Sequence, residues 1–112
     1  MRKQLASVFL TFMLAACGHA MTMTSPPPGW PALEVIDHGA DGTLANCSRY
    51  TNLLTWPPLG CAVVDFKRKV CDVWAMAEWV KAEELKHCAG RDHADETTLA
   101  DDWKRYQETT RQ

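Results

Sequence analysis

Apolar and polar positions along this chain fall into blocks of different period. An apolar run from Leu5 to Leu14 follows the basic pair Arg2 and Lys3 and ends in the small residues Ala15 and Ala16. Such a segment reads as a secretory signal, too short for a stable membrane span. Gly18 to Gly29 is polar, small and rich in proline, so it cannot bury a core and favours an extended tether. From Trp30 to His38, Leu33, Val35 and Asp37 alternate with Glu34, Ile36 and His38, which predicts a short strand at a sheet edge. Gly39, Asp41 and Gly42 mark a turn, and Leu44 to Tyr50 reads as a helical turn carrying Cys47. Thr55 to Gly60, with Trp56-Pro57-Pro58, is irregular.

Cys61 to Phe66 and Val70 to Trp74 are two strand-like runs flanking Lys67-Arg68-Lys69. They predict a hairpin of open turn type, since the loop holds neither Gly nor Asn; the alternative is a strand running on into a longer helix. Met76 to Ala89 is rich in helix formers, with Gly90 placed to cap the end. Val80 or Trp79, with Leu85 and Cys88, supply the inner face. A second helix starts near Asp95 or Thr97, and Leu99, Trp103 and Tyr106 form one apolar stripe suited to packing. The fold expected is α+β: a small antiparallel sheet or hairpin packed on a central helix and a C-terminal helix. Residues 1–16 are the signal, 17–29 the tether and 30–112 a single domain.

Charge and cysteine usage narrow the class. Removing 16 of the 112 residues leaves 96, with 10 basic against 14 acidic side chains, a formal charge of −4. That balance, without a basic stripe, gives no support to nucleic-acid binding. A chain this short makes a marginal core and needs staples. Cys47, Cys61, Cys71 and Cys88 form an even set in an exported chain, which reads as two disulfides. Three pairings exist; Cys61–Cys71 across the hairpin with Cys47–Cys88 is favoured. Metal ligation by these cysteines is the lesser reading, because no C-x-x-C pair is present.

The chemistry-bearing stretch is Glu83 to His93, Glu-Glu-Leu-Lys-His-Cys-Ala-Gly-Arg-Asp-His. It departs at one position from H-E-x-x-H-x-x-G-x-x-H, with Glu83 where the pattern has His. Residues 83 and 87 lie one helical turn apart on one face. A left-handed Gly90 would turn the chain so that His93 returns to the same point. Glu83, His87 and His93 would then be zinc ligands, with Glu84 beside a metal-bound water as general base.

Leu14-Ala15-Ala16-Cys17 resembles the lipobox of bacterial lipoproteins. With the PPPGWPAL segment, the CAVVDFKRKVCDVW pair and the Glu83–His93 stretch, the chain resembles small bacterial lipoproteins that carry a metzincin-like zinc-peptidase motif. The resemblance implies cleavage before Cys17, palmitate on Cys17 and anchoring in the cell envelope. Because Gly18 rather than Asp follows Cys17, it implies the outer membrane, facing the periplasm. It also implies a zinc site at Glu83, His87 and His93, Glu84 as catalytic base, and a peptide or envelope-protein partner. The alternative is a non-catalytic structural or interaction lipoprotein, including one of bacteriophage lysis type.

Overall fold

Two short valine- and cysteine-bearing runs build the centre of the domain. Strand β2 (Gly60–Asp65) and strand β3 (Val70–Ala75) form an antiparallel hairpin, with Asp65 opposite Val70 and Gly60 opposite Ala75. The Asp65 carboxylate accepts the Arg68 N–H at 3.1 Å, and Lys69 takes the left-handed conformation, φ 57°, that closes the turn without glycine. Strand β1 (Glu34–Gly39) lies parallel to β3 on its other side, giving the order β1-β3-β2. These elements come from a computed structural model that describes residues 22–50 and 57–111. The segment 1–16 expected to be a signal and Cys17, the expected lipid site, lie outside the described residues.

Around the sheet stand helix α1 (Thr43–Cys47), a 3-10 turn at Ser48–Tyr50, helix α2 (Glu78–Cys88) and helix α3 (Thr98–Thr110). The fold is therefore α+β and disulfide-stapled, with a mixed sheet rather than a purely antiparallel one. Among the described residues, no helix is long and apolar enough to cross a membrane, so none of them supports a spanning segment.

The bridges are Cys47–Cys61 and Cys71–Cys88, which corrects both pairs favoured from sequence. Register is the reason. With Asp65 opposite Val70, stepping away from the turn puts Val64 opposite Cys71 and Cys61 opposite Trp74. Side chains directly opposite share a face and successive ones alternate, so Cys61 and Cys71 point to opposite faces. Cys61 meets α1 on one face; Cys71 meets α2 on the other. Ala62, Val64, Cys71 and Val73 pack with Cys88 and Leu33 on the α2 side.

The core is correspondingly small. Of the eight buried apolar residues described, four are the bridged cysteines; the others are Val70, Val73, Ala75 and Val80. Helix α2 buries Val80 and Cys88, while Trp79 and Leu85 face outward. Lys81 of α2 reaches Asp37 of β1 at 2.9 Å and ties the helix start to the sheet edge. On the α1 face, His38 stacks on Trp74 with ring centroids 4.4 Å apart and hydrogen-bonds Asp72 at 2.7 Å.

Helix α3 buries no residue fully and is held by aromatic contacts. Trp103 and Tyr106 pack on Phe66 of the hairpin turn, and Trp103 also meets Trp30 edge-on. The Trp103 indole N–H donates to the Pro28 carbonyl at 3.2 Å. Part of the expected tether is thus fastened to the domain. Thr24 N–H donates to the Asp92 carbonyl at 2.8 Å, Ala94 N–H donates to the Thr22 carbonyl at 3.2 Å, and Met23 bridges His93.

Candidate functional site

Helix α2 ends in a tight reversal that places the motif residues. Gly90 N–H donates to the His87 carbonyl and Arg91 N–H to the Lys86 carbonyl, the paired bonds of a Schellman turn. Gly90 sits at φ 89°, left-handed, and the Trp30 ring lies directly over it. The chain then runs through buried Asp92 to His93. The Asp92 carboxylate accepts the N–H groups of Leu99 at 3.1 Å and Ala100 at 3.3 Å, capping α3 from a distance in sequence.

His87 and His93 do come together, rings edge-to-face with centroids 4.9 Å apart. The His87 Nδ1–H donates to the Arg91 carbonyl at 2.7 Å; since a carbonyl only accepts, Nδ1 carries the proton. Burial holds the His87 pKa below its ordinary value, partly opposed by that hydrogen bond.

Glu83 does not join them. Its carboxylate is taken by Lys86 at 2.9 Å on its own helix. Glu84 is the glutamate that shares a groove with His87 and His93. It lies one turn from both Val80 and Cys88 along the buried stripe of α2, so its carboxyl is turned toward the sheet. Burial, and then the negative charge of neighbouring Glu83, push its pKa up to about 7.

Among the described residues, no three His, Cys, Asp or Glu side chains form a group that could hold a metal ion. This corrects the expectation of zinc on Glu83, His87 and His93. It removes the basis for the metzincin-like reading, for zinc as cofactor and for Glu84 as base to a metal-bound water. Glu83 lies one turn before His87 but is held by Lys86, while Glu84 follows the stripe of Val80 and Cys88.

The groove runs between β2 and the α2–α3 connection and has a volume of about 410 Å³. Glu96 and Asp102 also line it, two acidic residues that the motif spacing did not single out. Glu96 belongs to the acidic pair Asp95-Glu96 ahead of α3, which suits a helix start; no local pattern singles out Asp102. Compared with protein-family models, curated proteins and solved structures, the chain finds no match.

Proposed function

We propose that this chain is a lipid-anchored envelope lipoprotein whose disulfide-stapled domain serves as a non-catalytic interaction module. The observation that carries the reading is the cystine core. Four of the eight buried apolar residues described are bridged cysteines, one bridge on each face of the sheet. A domain built this way depends on an oxidising compartment. The signal-like run and Leu14-Ala15-Ala16-Cys17 supply the route there and the anchor. Two or three acyl chains on Cys17 would hold the protein on the outer membrane, where one would be marginal. His87, His93 and Glu84 share the groove, but Glu83 is held by Lys86 and no metal-holding group forms among the described residues, which favours binding over catalysis.

Labelled palmitate tests the anchor. It is expected to enter the wild-type chain and not the Cys17→Ser variant. Labelling of the variant, or none in the wild type, overturns the lipoprotein reading.

A further inference from the structure

We propose that the groove beside β2 binds an extended, cationic peptide segment, which adds to the sheet as a further strand. The proposal names a partner class for the interaction module and rests on that reading.

Gly60 through Val64, five successive residues, line the groove. Successive side chains of a strand point to opposite faces. A cavity that meets all five therefore runs along the edge of the strand, where backbone donors and acceptors alternate. Among the described residues no strand pairs with that edge, because β2 is the last strand in the order β1-β3-β2.

The two sheet edges differ in how they are protected. Edge strands are commonly blunted by charges, prolines or bulges. The β1 edge has such features: Glu34 and Asp37 lie in it, and its register slips between Asp37 and Gly39. The β2 edge has none from Gly60 to Val64. Its residues are Gly, Cys, Ala, Val and Val, and its pairing with β3 is regular throughout. An open, regular edge is what strand addition uses, with main-chain bonds giving affinity and side-chain surroundings giving selectivity.

The surroundings select charge. Glu84 and Glu96 bring carboxyl groups to the groove, as does Asp102, whose carboxylate also lies 3.6 Å from Arg105 on α3; none of the described lining residues is Lys or Arg. An anionic segment would be repelled; one with alternating Lys or Arg would set its cations against these groups while its backbone meets β2. The volume of about 410 Å³ suits a short stretch of chain.

Full-length protein in detergent micelles is titrated with a capped hexapeptide of alternating Lys and Val, followed by amide NMR. Saturable binding is expected, with shifts concentrated at Gly60–Val64 and around Glu96 and Asp102. A Glu/Val hexapeptide, and a Lys/Val peptide N-methylated at alternate amides, are each expected to bind at least about tenfold more weakly. Glu96→Gln with Asp102→Asn, both at exposed positions, is expected to cost a further several-fold and to flatten the salt dependence. Equal binding of the Lys and Glu peptides, undiminished binding of the N-methylated peptide, or shifts confined elsewhere would overturn the assignment. Failed peptide binding with palmitate still entering Cys17 rejects the groove and keeps the anchored module; the reverse result rejects the anchor and keeps the groove.

Discussion

Trp30 and Gly90 are in direct contact, and the contact leaves no room for a side chain. A Cβ on Gly90 would stand 2.6 Å from Cδ2 of the indole. The ring cannot swing away cheaply, because its N–H donates to the Cys88 carbonyl at 3.0 Å and its edge meets Phe66. Trp30 thereby locks the end of α2 to the segment that leads in from the N-terminus. Gly90→Ala adds a left-handed backbone penalty to an overpacked contact and is expected to lose about 2–4 kcal/mol. Urea unfolding followed by tryptophan fluorescence measures it; a loss below about 1 kcal/mol would mean the indole yields freely.

The bridges enclose separations of 14 and 17 residues. Loop-closure entropy for such lengths is worth about 3 kcal/mol each, and in this domain the cystines are also half of the buried apolar set. Replacing Cys71 and Cys88 together by Ala should therefore cost at least about 3 kcal/mol, a large share of the stability of a small domain. Peptide mapping under non-reducing conditions should recover Cys47 linked to Cys61 and Cys71 linked to Cys88. Recovery of a Cys61–Cys71 peptide would contradict the register of the hairpin.

Asp92 is only 3 % exposed, and its carboxylate caps α3 while its backbone bonds Thr24 on both sides. Asp92→Ala leaves the first N–H groups of α3 without that partner and is expected to cost about 1–3 kcal/mol. The change should also loosen the N-terminal segment, read as faster amide exchange at Thr24. Unchanged exchange at Thr24 and Ala100 would show that the cap is dispensable.

Glu84 gives a pH dependence with a definite sign. Its pKa is raised in the folded chain, from 4.5 to about 7, so the fold binds its proton more tightly than the unfolded chain does. The resulting stability is present below pH 4.5 and is lost as pH rises through about 7. His87 works the other way. With its folded pKa lowered from 6.5, it costs stability as pH falls below that value. Glu84→Gln removes the first effect and leaves the second. After discounting for partial exposure, the variant is expected to gain about 1–2 kcal/mol over wild type at pH 8 relative to the difference at pH 4. A difference between the two proteins that does not change with pH would remove the buried-carboxyl assignment.

Much of the architecture follows from local patterns. The short apolar runs at 61–66 and 70–74, with the polar Lys67-Arg68-Lys69 between them, specify two strands and a hairpin, because runs of this length rich in valine suit a strand. Helix formers ending at Gly90 specify α2, because a left-handed residue closes a helix. The stripe Leu99, Trp103, Tyr106 specifies a packed α3, and two of its members reach Phe66 and Trp30. The even cysteine set specifies two bridges without specifying their partners.

Tertiary structure alone decided which residues meet. Partners of the cysteines depend on hairpin register, and Asp65 opposite Val70 sends Cys61 and Cys71 to opposite faces. The zinc-like spacing of residues 83, 84, 87 and 93 is a statement about positions along the chain. Whether those side chains converge depends on how α2 is rotated against the sheet, and burial of Val80 and Cys88 turns Glu84 inward while Lys86 takes Glu83. That β1 joins β3 in parallel, so that β2 is the last strand of the sheet among the described residues, is likewise a long-range choice. Local sequence sets the period of each element; only packing sets its phase relative to its neighbours, and in this domain phase determines both the disulfides and the site.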